Sequence, residues 1–124
     1  MSKPIAEILE RVAEAGGKLL RVTRDPVAGG GGLSHKLVLT FDVGALRLSS
    51  GGAALEGLPV DPGEAAGVDA AEEEPWWAVL GHPLTRVQER PGGGLLVQFR
   101  ADEASPRLFL LEPSGAAVAV RSVV

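Results

Sequence analysis

The chain has 124 residues, a formal net charge of -4 and no cysteine. This length predicts one domain with a single core, and the lack of cysteine excludes disulfides and thiolate metal sites. No long apolar run follows the first residues, so we expect neither a signal peptide nor a membrane span and predict a cytoplasmic protein.

An amphipathic helix is predicted over residues 3–15. Ile5, Ile8, Leu9 and Val12 fall on one helical face, because residues three and four apart are neighbours on a helix. Ser2 precedes this segment as a candidate N-cap, and glycines at positions 16 and 17 end it.

Strands are predicted over residues 18–24, 36–42, 45–49 and 53–58 by alternating apolar and polar positions and by the turn residues between them. The four glycines at 29–32 are interpreted as a mobile hairpin connection because they carry a large ordering cost. A phosphate-binding loop is the functional alternative. No Lys-Ser/Thr pair follows the glycines, and a strand rather than a helix comes next, which disfavours that alternative.

An acidic linker is predicted over residues 60–75. Six of the 16 acids of the chain lie between Asp61 and Glu74, without any Lys or Arg. The segment has no apolar periodicity, so we expect it to be exposed and partly disordered. Without it, the remaining chain carries 10 acids against 12 bases and has no clustered basic face of the kind that predicts nucleic-acid binding.

A second unit is predicted over residues 76–124. A short helical turn at residues 75–81 precedes strands over residues 84–89, 95–100, 106–111 and 116–123. The regular spacing of strands and turns is typical of an antiparallel meander.

The two halves of the chain show a weak internal repeat. Leu19, Arg21 and Val22 recur as Leu84, Arg86 and Val87 at a shift of 65 residues. At a shift of 58, the apolar alternation of one strand recurs in another, and two further leucines then match: Leu37, Leu39 and Phe41 with Leu95, Val97 and Phe99, and Leu46 and Leu48 with Leu108 and Leu110. The sequence therefore predicts an α+β fold, in which two tandem helix-plus-antiparallel-strand pseudo-repeats, residues 1–59 and 76–124, form one compact domain.

Trp76 and Trp77 are the candidate partner-binding residues, together with Glu72, Glu73 and Glu74. Adjacent tryptophans on a short helix cannot both face one core, and exposed tryptophan is enriched at binding hot spots. The simpler interpretation places Trp77 in the core, at the position that Val12 has in the first unit, and Trp76 beneath the acidic linker.

No catalytic or metal constellation is predicted, and no cofactor. Without cysteine, a metal site would need both His35 and His82 together with carboxylates, and the two histidines lie in different units, one at the start of a strand and one in a loop. Ser34 precedes His35, but neighbours in a strand point to opposite faces and cannot form a nucleophile–base pair. Arg21 and Arg86 are interpreted either as a symmetric anion-binding pair or as covers for the sheet surface, with the second use favoured.

Three classes of function follow from these patterns. The first is a non-catalytic protein-interaction module, in its most concrete form a small bacterial immunity-type or antitoxin-like inhibitor of a partner with a basic surface. The second is a small-molecule binding domain with a pocket between sheet and helix. An enzyme of unknown class is ranked last, and neither nucleic acid nor membrane is expected as a partner.

Overall fold

The computed structural model describes residues 5–27, 33–70, 74–100 and 106–123. The glycine run at 29–32 and the loop at 101–105 lie outside these ranges. The described elements are the helix α1 (Ile5–Glu14), a 3₁₀ helix (Pro75–Val79) and nine strands: β1 (Leu19–Pro26), β2 (Leu33–Phe41), β3 (Gly44–Ser50), β4 (Leu55–Val60), β5 (Val68–Asp69), β6 (Leu84–Arg90), β7 (Gly94–Arg100), β8 (Pro106–Ser114) and β9 (Ala117–Val123).

The fold is mostly antiparallel sheet: of the described residues, 60% are in strands and 14% are helical, and the sheet curls into a half-barrel. The predicted α+β fold with tandem helix-plus-strand units is therefore wrong. The short helical turn predicted at residues 75–81 is the five-residue 3₁₀ helix Pro75–Val79, which is not a second copy of the ten-residue α1. Pro75 and Gly81 bound this segment, which leaves it too short for a stable α-helix.

Two four-stranded meanders make up the sheet. The first meander is β1–β4 and the second is β6–β9, and the order through the sheet is β4-β3-β2-β9-β8-β7-β6, with β1 and β5 off this path. The meanders join where Leu33 and Ser34 of β2 pair with Ala119 and Val118 of β9. Eight of the nine strands overlap a strand predicted from the sequence, and the exception is β5.

The first hairpin of each meander has the same register. Leu19 pairs with Phe41 in β1–β2, and Leu84 pairs with Phe99 in β6–β7. Each hairpin then skips one residue, at Leu20 and at the corresponding position in β6, which places a β-bulge at matching positions. This match concerns the hairpins and does not extend to the helical segments.

The two hairpins are hydrogen-bonded to each other where they begin. The amide of Leu19 donates to the carbonyl of His82 at 3.1 Å, and the amide of Leu84 donates to the carbonyl of Gly17 at 2.9 Å. An isolated antiparallel bridge joins Lys18 to Pro83 between these bonds. The contact is therefore reciprocal, and it fixes the start of β1 against the start of β6.

The predicted match of Leu46 and Leu48 with Leu108 and Leu110 is wrong by one residue. Leu46 and Leu48 lie in the core, but on β8 the core residues are Phe109 and Leu111. Leu108 and Leu110 alternate with them and so face outward, since a shift of one residue moves a strand side chain to the other face.

Helix α1 covers the open side of the half-barrel, between β4 and β6. It buries Ile5, Ala6 and Leu9, of which Ile5 and Leu9 belong to the face predicted from the sequence. The helix ends at Glu14, and Gly16, two residues further on, has a φ of 69°. Left-handed backbone of this kind favours glycine and ends helices in Schellman motifs. Within the described ranges, no helix has both the length and the apolarity needed to cross a membrane.

The alternation of apolar residues in residues 36–42 and 95–100 predicts that Phe41 and Phe99 face the core, and their exposures of 2% and 0% confirm it. We expect Phe41→Ala or Phe99→Ala to lower the free energy of unfolding by about 3 to 5 kcal/mol, because each change leaves a cavity in a packed core. Val43→Ala is the control, since Val43 is 53% exposed. Urea unfolding measures all three variants. A loss below about 1 kcal/mol for either phenylalanine would contradict its place in the core.

Candidate functional site

The acidic segment is not a free linker. Its strand β5 pairs with Thr23 and Arg24 of β1, and the amide of Ala66 donates to Thr23 Oγ1 at 2.9 Å. The expectation of partial disorder is therefore wrong for the described part, residues 60–70. We call this part the acidic strap.

The strap crosses the outer face of the first meander, the face opposite the core. Val38 lies between Thr23 of β1 and Arg47 of β3 in the pairing register. The strap bonds to both neighbours, through Ala66 to Thr23 and through Glu64 to Arg47 at 3.5 Å. Val38 consequently has 0% exposure although it points away from the core.

A glycine permits this close approach. A Cβ atom on Gly67 would lie 2.6 Å from the carbonyl oxygen of Arg24, and the φ of Gly67 is 97°. Both conditions exclude a larger residue without backbone movement. The strap therefore depends on glycine at this position.

Asp69 of the strap pairs with Arg21 of β1, with 2.5 Å between Asp69 Oδ1 and Arg21 Nε. The hydrogen bond from Arg21 lowers the pKa of Asp69 below 3.8. Desolvation of the carboxylate opposes this shift, and the charge attraction to Arg21 reinforces it. Both side chains remain largely exposed, so the pair contributes little to stability. Arg21 was interpreted as part of an anion-binding pair or as a cover for the sheet surface, and neither interpretation included an ion pair with Asp69 of the same chain.

Glu74, a candidate partner-binding residue, pairs with Arg24. Arg24 Nε donates to both carboxylate oxygens at 2.8 and 2.9 Å, and its Nη2 also donates to Glu74 Oε1. The side chains of Arg24 and Glu74 are only 21% and 22% exposed. Glu74 is therefore directed toward β1 of its own chain, whereas Glu72 and Glu73 lie outside the described residues.

The simpler interpretation of the two tryptophans placed Trp77 in the core, and the structure places Trp76 there instead. Trp76 is 2% exposed; it stacks on Phe109 with ring centroids 4.6 Å apart and meets Phe99 edge-on at 6.4 Å. Trp77 is 47% exposed, and its indole Nε1 donates to the carbonyl of Ala70 at 2.7 Å. Trp77, not Trp76, is thus available to a partner.

The histidines stay apart in the structure. His35 is exposed on β2, whereas His82 is half-buried just before β6. In the described part of the chain, no group of three or more His, Cys, Asp or Glu residues is placed to hold a metal ion.

A cleft of about 350 Å³ lies between α1 and the first meander. The sequence predicted a pocket between sheet and helix as one possibility but did not identify its residues. The lining is mostly apolar, and Arg11 at the rim is its one charged residue. The ten lining residues are Ile8, Arg11, Val12, Ala15, Phe41, Val43, Gly44, Ala45, Leu46 and Pro59. A smaller cavity of about 160 Å³ lies beside the Arg24–Glu74 pair and Trp76.

Comparisons with protein-family models, with curated proteins and with solved structures find no match for this chain. Function therefore has to be inferred from the geometry of the chain itself.

The Arg21–Asp69 pair gives a direct test of the strap. We expect Arg21→Ala to raise the pKa of Asp69 toward 3.8, because the hydrogen bond that lowers it is lost. In the wild type, the stability from this pair is present above the unfolded-state pKa and lost as the pH falls through the lower folded-state pKa. Carboxyl NMR titration measures the change, with Arg86→Ala as the control. An Asp69 pKa unaffected by Arg21→Ala would contradict the pairing.

Proposed function

We propose that the protein is a non-catalytic protein-interaction module whose contact surface is centred on Trp77. The observation that supports this most directly is the half-exposed indole ring, held in place by its hydrogen bond to Ala70. An aromatic side chain with few remaining rotamers provides contact area at a low entropic cost. Leu20 and Val68, each 53% exposed, lie on β1 and β5, which border the 3₁₀ helix that carries Trp77.

A partner with a basic surface, as for an immunity-type or antitoxin-like inhibitor, is the more specific form of the proposal. Glu64, Asp69 and Glu74 each hold an arginine of this chain, which reduces the negative charge they offer to a partner. That form therefore depends on the three other acids of residues 61–74, which are Asp61, Glu72 and Glu73.

Partner capture from the native host tests the Trp77 surface. A photo-crosslinking residue at the exposed position Ala78 would identify the protein that contacts this surface. We expect Trp77→Ala to reduce capture of that protein about tenfold, equivalent to about 1.4 kcal/mol. Leu58→Ala is the control, since Leu58 is 50% exposed on β4 and lies outside the surface.

Equal capture by wild type and Trp77→Ala, with both folded, would exclude Trp77 from the interface. A salt series tests the basic partner separately, because attraction between exposed charges weakens as salt is added. Capture that is insensitive to salt and to the double change Glu72→Gln and Glu73→Gln would remove the inhibitor form while leaving the Trp77 surface intact.

Small-molecule binding in the α1 cleft is the second candidate function. Its support is the cleft volume of about 350 Å³, which lies within the range of about 300 to 1,000 Å³ of ligand pockets. The mostly apolar lining favours an apolar ligand, with Arg11 placed at the rim to contact a polar end.

The cleft is tested with the fluorescent probe anilinonaphthalene sulfonate. We expect Ala15→Phe to weaken probe binding about tenfold, because the new ring fills space in the cleft. Ala116→Phe, in the exposed turn between β8 and β9, is the matched control. Equal fluorescence titrations for both variants and the wild type would show that the probe binds elsewhere.

A further inference from the structure

The outer face of the second meander carries an apolar patch. Leu96 of β7 pairs with Leu110 of β8, and Leu108 of β8 pairs with Val123 of β9. Leu96, Leu108 and Leu110 alternate with core residues, and Val123 shares their face because it pairs with Leu108; none of the four belongs to the core cluster. Each remains partly open to solvent, so the patch is an unburied apolar surface.

Arginines surround this patch. Arg86 of β6 pairs with Gln98, Arg100 ends β7 and Arg121 of β9 pairs with Leu110, which places all three on the outer face, and all three are exposed. On the same strands one acid, Glu112, shares this face among the described residues; it lies 3.5 Å from Arg121. We call the four apolar side chains and the three arginines the arginine-framed face.

The first meander shows what covers a surface of this kind. Because the two hairpins match in register, Leu96 takes the position of Val38, and Arg86 takes that of Arg21. The strap crosses Val38 and places Asp69 on Arg21. In the described part of the second meander, no segment crosses Leu96 in this way.

We propose that the arginine-framed face binds an extended acidic segment of a partner protein. The segment would lie across β7, β8 and β9 as the strap lies across β1, β2 and β3. Its apolar side chains would cover Leu96 and Leu110, and its carboxylates would pair with Arg86 and Arg121. Pairing of arginine with carboxylate gives orientation as well as attraction.

Two other occupants fit less well. A second copy of this chain would bring two arginine-framed faces together, and like charges across an interface disfavour that contact. A single-stranded nucleic acid would need aromatic side chains on which its bases stack. Phe41, Phe99, Phe109 and Trp76 are all buried in the core, and Trp77 lies away from this face.

Peptide selection tests the proposal. Displayed random peptides of about twelve residues are long enough to cross three strands that lie ~4.8 Å apart. We expect selection on the wild-type protein to enrich peptides with net negative charge and interspersed apolar residues. Leu110→Lys should weaken their binding about tenfold or more, whereas Leu58→Lys, the same change on an exposed leucine of β4, should leave it unchanged.

A second pair of variants keeps the test decisive if Leu110→Lys fails to fold. Arg121→Glu should weaken binding of the enriched peptides, and Lys36→Glu, at an exposed position of β2 in the first meander, should not. Trp77→Ala should also bind them normally, which separates this proposal from the one centred on Trp77.

Several outcomes would overturn the proposal. These are no enrichment, enrichment without acidic bias, or equal binding by Arg121→Glu and wild type. Sedimentation that shows a dimer abolished by Leu110→Lys would assign the face to a second copy instead. Binding of single-stranded DNA that Arg121→Glu abolishes would assign it to nucleic acid.

Discussion

The reciprocal hydrogen bonds between Gly17–Leu19 and His82–Leu84 determine how the two meanders sit on each other. They hold the starts of β1 and β6 side by side, so the segment before each strand must cross to the other meander. Helix α1 precedes β1 but packs along β6. The 3₁₀ helix precedes β6 but is tied to β1 at both ends, through Glu74 to Arg24 and through Gly81 to Leu19.

This crossing explains the environments of the two tryptophans. Because the 3₁₀ helix is fixed at both ends along β1, one of two adjacent side chains must point into the half-barrel and the other outward. Trp76 points inward and fills the space against Phe99 and Phe109. Trp77 is left on the surface beside the strap. Its indole Nε1 donates a hydrogen bond to the carbonyl of Ala70, so the partial burial of the ring leaves no N–H group without a partner.

The positions of the strands were largely predictable from the sequence. Which residues of a strand face the core was predictable for some strands and not for others. On β2 and β7, polar residues at some of the alternate positions, Lys36, Thr40 and Gln98, mark the outward face, so the buried face is evident from the period of two. On β8, Leu108 to Leu111 are all apolar, and this run gives no sign of which residues face inward. Leu108 and Leu110, the outward leucines that this ambiguity concealed, belong to the arginine-framed face.

The candidate site was least predictable where its contacts are distant in sequence. Asp69 and Glu74 lie 48 and 50 residues from the arginines that hold them, and composition alone does not reveal such pairs. β5 has two residues, too few to produce an alternating pattern, although Gly67 is compatible with a closely apposed segment. Sequence reasoning therefore took a paired segment for a free one.

The internal pairing of the strap also changes how the net charge of -4 should be interpreted. Three of the acids in residues 61–74 pair with arginines of the first meander. These ion pairs neutralise part of the negative charge of that segment within the molecule. Arg86, Arg100 and Arg121 on the second meander are exposed, and of these only Arg121 lies close to an acid of the described chain, at 3.5 Å. A protein that is acidic by composition thus presents a basic, apolar-centred face, and the chemistry of that face is set by local pairing rather than by total charge.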